Sequence, residues 1–194
     1  MSLKLEILIP TLPERHRTFN ALHVELERQT KEAGYVWGVD VCGLSHHAAK
    51  GETTIGEKRN YLLRTSIGEY VAFFDDDDFP APNYISSVME GINKGVDCCS
   101  LRGIITWNGE NPEVFEHSIK YSDWKTNHTG EIKYERYINH LNVVKREIAI
   151  QIKFPEINHG EDKSWSEALR DSGLIKTEHY IGEPIYNYLY HEKK

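Results

Sequence analysis

Tyr70-Val71-Ala72-Phe73-Phe74-Asp75-Asp76-Asp77-Asp78-Phe79-Pro80 joins five apolar residues to four consecutive carboxylates. The apolar part is short, aromatic and β-branched, and it predicts a buried strand. Four carboxylates at its end cannot all stay ionised without positive charge among them, because like unit charges 4 Å apart repel by about 4 kcal/mol at the effective dielectric near a protein surface. A hard divalent cation with oxygen ligands, Mg²⁺ or Mn²⁺, bridging to a phosphate, is the simplest remedy. A solvated acidic turn is the commoner fate of acidic runs. This run abuts a buried strand instead of lying in a polar tail, which favours the metal.

Upstream, Leu3-Lys4-Leu5-Glu6-Ile7-Leu8-Ile9 predicts an opening strand that stops at Pro10-Thr11. Thr11 and Glu14 have capping-box spacing with Pro13 in the first turn, so a helix is expected there, with Phe19, Leu22 and Leu26 as its apolar stripe. Residues 35–44 read as a second strand, and Thr54 with Glu57 repeats the capping box ahead of a helix to about residue 65. Downstream of the aspartates, Pro82 opens a helix whose inner face is Ile85, Val88, Met89 and Ile92, and residues 96–106 read as another strand. This alternation predicts one α/β domain, Rossmann-like, with a mostly parallel central sheet flanked by helices. Right-handed crossovers bring the loops after the strands to one edge, where such sheets bind ligands. Pro10-Thr11 and the aspartates are therefore expected to face one site.

The second half is less regular. Residues 107–135 are polar and aromatic, with Trp107, Phe115, Tyr121, Trp124 and Tyr134 scattered through them, and no element is assigned there. Residues 137–145 read as a strand followed by a short helix. A helix after His159-Gly160-Glu161-Asp162 has Trp165, Ala168 and Leu169 on one face, and strands are expected at 177–181 and 185–190.

With 194 residues the chain suffices for one sizeable core. A net charge of −7 leaves no basic excess to neutralise nucleic-acid phosphates. No stretch is long enough for a membrane span, and the start, Met1-Ser2-Leu3-Lys4-Leu5-Glu6, lacks the apolar core of a signal peptide. Cys42, Cys98 and Cys99, odd in number and wrongly spaced for zinc, suit reduced thiols packed in strands of a cytoplasmic protein.

Several families place aspartates at strand ends. A phosphatase of the haloacid dehalogenase type wants Thr or Val two positions after its second aspartate, where this chain has Phe79. A trans-prenyltransferase would need an aspartate at 79, and an EF-hand loop a glycine at its sixth position. The order Ile7-Leu8-Ile9-Pro10-Thr11, Gly56-Glu57-Lys58-Arg59-Asn60, Gly68-Glu69-Tyr70 running into the aspartates, Pro82-Asn83-Tyr84-Ile85 and His159-Gly160-Glu161-Asp162 closely resembles family 2 of the nucleotide-sugar glycosyltransferases with the GT-A fold.

That resemblance implies a metal-dependent transfer of a sugar from a nucleoside-diphosphate sugar, most simply a UDP-sugar, to a hydroxyl of a glycan, lipid or protein. It implies that residues 1–106 bind the donor and 107–194 serve acceptor and catalysis. Pro10 and Thr11 would meet the nucleoside, Arg15, Lys58 and Arg59 the nucleotide, and Asp75 the ribose or nucleoside side. Asp76 would lie in the donor site with Asp78 beside it, either orienting the other two aspartates or standing as solvated turn carboxylates. Asp77, with Asp75 and His191, would hold Mn²⁺ or Mg²⁺, and Asp162 would be the general base of an inverting reaction with Glu161 beside it. The plain alternatives are surface charge for Lys58 and Arg59, and for Glu161 and Asp162 an acidic pair favoured by a helix N-terminus. His46 and His47 read as structural or surface residues.

Two features depart from the pattern: Val41-Cys42-Gly43-Leu44 stands where members carry an acidic cluster that reads the base, and the chain is short for the family. The aromatics of 107–134 are then left to supply acceptor contacts by stacking. A sugar-phosphate nucleotidyltransferase is the nearest rival, but Ile9-Pro10-Thr11-Leu12-Pro13 is not its glycine-rich basic loop. A non-catalytic sugar-binding module is the rival from another class.

Overall fold

The computed structural model describes residues 2–190. The chain opens with β1 (Leu5–Thr11), α1 (His16–Glu32) and β2 (Val41–His47), then α2 (Ile55–Thr65) and β3 (Tyr70–Phe73). After the aspartates come β4 (Phe79–Pro80), α3 (Tyr84–Asn93), β5 (Cys98–Cys99), β6 (Leu101–Trp107) and β7 (Glu110–His117). β8 (Lys125–Thr126), β9 (Ile132–Arg136), β10 (Val144–Lys145), α4 (Arg146–Ala149), α5 (Glu161–Ser172), β11 (Glu178–His179) and β12 (Pro184–Tyr190) follow.

Two six-stranded sheets form. The first runs β11-β5-β10-β3-β1-β2. β1 is parallel to both β2 and β3, with Leu5 opposite Val41 and Tyr70, so the ends of all three strands share one edge. β10 inserts antiparallel between β3 and β5. β1 and β3 alternate faces with period two: Leu5, Ile7 and Ile9 with Tyr70, Ala72 and Phe74 pack in one cluster against α1 and α3, and Leu8 with Val71 and Phe73 packs in another against α2 and α5. The layered α/β architecture with the helices on both faces of the sheet is as expected from the sequence.

The second sheet, β4-β12-β6-β7-β9-β8, holds most of the stretch left unassigned above. The strand expected over 96–106 divides at Ser100, whose hydroxyl oxygen accepts from Ile181 N at 2.6 Å, and the chain passes from one sheet to the other there. The second strand lies at Val41–His47, not 35–44, because Asp40 accepts from Val36 N and closes a turn before it. Ala168 is exposed; only Trp165 and Leu169 of its expected trio are buried.

Of the two capping boxes, Thr54–Glu57 forms in full. The Thr11–Glu14 box does not: a short 3₁₀ turn, Pro13–Arg15, precedes α1, and Thr11 spends its hydroxyl on Asp76. Gly56 lets α2 touch the loop after α4, since a Cβ there would fall 1.8 Å from Pro155 O. Asn60 ties the same loop by exchanging two 2.9 Å hydrogen bonds with the Phe154 main chain. That docking sets the start of α5 beside α2.

Candidate active site

The strand register carries Thr11 across to the aspartate run. Thr11 Oγ1 donates to Asp76 Oδ2, and Arg15 Nη1 reaches Asp76 Oδ1 at 2.7 Å and Asp77 Oδ2 at 2.8 Å. Arg59, almost wholly buried between the rings of Phe73 and Phe154, pairs through Nη2 with Asp75 at 3.2 Å. The positive charge that the run requires is thus supplied in part by two arginines.

The four carboxylates differ. Burial would raise Asp75, but Arg59 and then His140 hold it well below the usual carboxylate range. Asp77, 40% exposed, is pushed up by burial and by Asp75 and Asp76 against the pull of Arg15. Asp78 turns inward, where it accepts from Tyr186 Oη at 2.7 Å and Leu189 N at 2.8 Å and pins β12 beside the run. Burial, then Asp75, push its carboxyl up to about 8.

Thr11, Pro10, Arg15, Lys58, Arg59 and the four aspartates line one open cleft of ≈ 840 Å³. Lys58 has a structural task within it: its ammonium donates to Thr11 O at 2.8 Å and Ala48 O at 2.7 Å, joining the ends of β1 and β2. A second cavity of ≈ 550 Å³ adjoins the first, and Arg59, Asp75, Asn158, His159, Tyr188 and Tyr190 line both. Its walls include Trp107, Trp124 and Tyr134, with Arg136 stacked over Trp124 at 4.8 Å and Tyr134 at 5.3 Å.

Glu161 and Asp162 begin α5 and take different positions. Glu161 is buried, 3.3 Å from Arg59 Nη1, while Asp162 is partly exposed and lines the aromatic cavity. Arg59 therefore joins Asp75 to Glu161, and Asp162 is left facing the second cavity. His191 lies outside the described residues. His140 and Tyr188 line the site without having been singled out in the sequence.

Among the described residues no three His, Cys, Asp or Glu side chains form a metal-binding group. Asp77 and Asp75 nevertheless both line the cleft, each paired with an arginine, and Mg²⁺-type cations are commonly held by one or two carboxylates plus substrate phosphates. The residues present fit a cation that arrives with a diphosphate, not an all-protein metal cage.

The sequence model described as "Glycosyl transferase family 2" matches residues 47–152, from the end of β2 through α4. The chain belongs to glycosyl transferase family 2. Comparison with curated proteins gave no match. Among solved structures this family 2 chain is similar in fold to S. aureus TarS 1-349, with a TM-score of 0.67 and 15% identity over 96% of this chain and 60% of the other. For the same protein solved in complex with UDP-GlcNAc, the TM-score is 0.69 and the identity 14%, covering 99% of this chain and 60% of the other. The complex with UDP gives 0.65 and 13%, covering 97% and 61%. The family 2 chain thus spans about 60% of the length of these structures.

Proposed function

We propose that this chain transfers a sugar from a UDP-sugar, in the presence of Mn²⁺ or Mg²⁺, to a hydroxyl of a glycan, lipid or protein acceptor, with inversion at the anomeric carbon. One observation carries the reading: the aspartate-lined cleft and the aromatic cavity meet at Asp75 and Arg59, with Asp77 on the side of the cleft and Asp162 on the side of the cavity. UDP is chosen as the nucleotide because a fold relative was solved with UDP-GlcNAc.

The donor lies in the cleft, with its nucleoside near Pro10 and Thr11 and its diphosphate near Arg15 and Asp77. A cation held by Asp77 and Asp75 would offset the charge that builds on the leaving diphosphate. Arg59, fixed by Asp75 and Glu161, adds a buried positive charge beside the reacting carbon. Acceptor binding falls to the aromatic cavity, where indole and phenol faces suit the apolar face of a sugar. Asp162 takes the proton of the acceptor hydroxyl as its oxygen bonds the anomeric carbon and the bond to the diphosphate oxygen breaks. Glu161 keeps Arg59 in place and takes no proton. In this division residues 1–106 serve the donor and 107–194 the acceptor and the base. The three free thiols suit a reducing compartment, so the chain is assigned to the cytoplasm, and no helix among the described residues is long and apolar enough to cross a membrane.

Thermal shift with UDP- and GDP-sugars, with and without Mn²⁺, tests the donor reading on wild type and Asp77→Ala. A UDP-sugar should raise Tm with Mn²⁺ present, and Asp77→Ala should lose most of that shift. The reading fails if no donor stabilises the wild type, or if Asp77→Ala responds as the wild type does.

A further inference from the structure

His140 precedes β10 in a tightly held turn. Phe73 N donates to His140 O at 3.0 Å, which sets the residue beside the end of β3, just ahead of Asp75. Within the turn Asn139 N donates to Asn142 Oδ1 and Leu141 N to Asn139 Oδ1, both at 3.0 Å, and Asn142 Nδ2 reaches Cys99 O at 2.9 Å. The nearby His117 finds Asn142 Oδ1 at 3.2 Å. His140 makes no such bond. Its side chain is 6% exposed, yet neither ring nitrogen has a hydrogen-bond partner among the described residues, and Nε2 stands 3.7 Å from Asp75 Oδ2, too far for a hydrogen bond.

Arg59 shares the condition. Its Nε and Nη1 are buried without a hydrogen bond among the described residues, although Nη2 is paired with Asp75. Four buried nitrogens beside Asp75 therefore lack a hydrogen bond among the described residues, and of these Arg59 Nη1 is ion-paired with Glu161 at 3.3 Å. Such groups are costly and uncommon in folded proteins, and a cluster of them calls for a partner that comes from outside the chain. The cluster lies where the two cavities join: Arg59 and Asp75 line both, and His140 lines the aromatic one. The two ring nitrogens of the imidazole and the donors of the guanidinium, gathered at one point, match the closely spaced hydroxyls of a pyranose.

We infer that His140, with Arg59, binds the hydroxyl or amide groups of the sugar being transferred, and that His140 is a specificity-determining residue for the donor sugar. This rests on the donor reading above. A site that hydrogen-bonds a substrate hydroxyl rejects analogues lacking it, because its own polar groups are left unpaired. The nucleotide, held by Thr11, Arg15 and the aspartates, has no need of His140.

The test compares UDP with UDP-GlcNAc, UDP-glucose and UDP-galactose, each with Mn²⁺, by calorimetry on wild type and His140→Phe. UDP affinity should stay within about twofold, while affinity for the preferred UDP-sugar should fall about tenfold, the size of one lost hydrogen bond to a ligand. His140→Gln, which keeps a donor and an acceptor, should recover part of that loss. If His140→Phe does not fold, His140→Ala carries the same comparison. An unchanged ratio of UDP-sugar to UDP affinity overturns the inference alone, as does equal loss of both. A wild type that binds neither UDP nor any of the three sugars overturns the donor reading and this inference with it.

Discussion

Arg15 Nη1 lies 2.8 Å from Asp77 Oδ2, so the exposed carboxylate best placed for a cation is already held by a side chain of the protein. On the proposed cation site, metal and arginine would compete for it until a diphosphate arrived to satisfy both. Arg15→Gln should bind Mn²⁺ alone about threefold to fivefold more tightly than wild type, the size expected for removing a half-exposed charge pair. Titration of free Mn²⁺ by electron paramagnetic resonance, without nucleotide, reads this directly. Unchanged or weaker binding would show that Arg15 does not compete for Asp77.

Asp162 and Glu161 are neighbours with separable effects. Asp162→Asn should keep UDP-sugar affinity within about twofold and lower transfer by about 10²–10⁴, the usual worth of a general base. Glu161→Gln should instead weaken donor binding and lower Tm, because Arg59 loses one of its two carboxylates. Single-turnover transfer and donor titration on both variants separate these outcomes, and full transfer by Asp162→Asn would remove it as the base.

Asp78 should make the metal-free protein sensitive to pH. An unfolded aspartate titrates near about 3.9, whereas in the fold burial and then Asp75 push Asp78 up to about 8. Between those values the folded state keeps a proton that the unfolded state has released. The stabilising contribution is therefore complete below about pH 4 and is lost as the pH rises through about 8. Urea midpoints from pH 5 to 8.5 should fall more steeply for wild type than for Asp78→Asn, and parallel slopes would contradict the assignment.

Asn60 acts on the site through the loop it holds. Asn60→Ala removes both hydrogen bonds to the Phe154 main chain and leaves a buried N–H and C=O unpaired, which should cost about 2–4 kcal/mol. Urea unfolding measures the loss. Because the same loop leads to α5, donor-dependent transfer should fall further than the loss of folded protein explains.

Some of this was legible in residue order. Tyr70 to Phe74 announces its buried strand by composition, and Thr54 with Glu57 announces its helix start by a local hydrogen-bond pattern that the fold leaves intact. Thr11 with Glu14 carries the same spacing, yet there a tertiary partner, Asp76, competes for the hydroxyl and wins. The β6–β7 hairpin had a signal that went unread: Asn108-Gly109 takes φ values of 52° and 83°, the conformation of a tight two-residue turn, in which asparagine and glycine are favoured. His140 had no local signal at all. Its place beside Asp75 depends on β10 inserting antiparallel next to β3, a pairing between residues some seventy positions apart.

The sequence alone determined that four carboxylates close a buried strand and need positive charge, since that follows from apolar periodicity and Coulomb repulsion between adjacent residues. Only the tertiary structure decided where that charge comes from and which carboxylates remain available. Arg15 and Arg59 reach the run from other elements, while Asp78 turns inward to Tyr186 and Leu189 on the last strand. Asp77 stays in the open cleft because neighbours along a turn point in different directions, and the packing of distant strands fixes which direction leads to water.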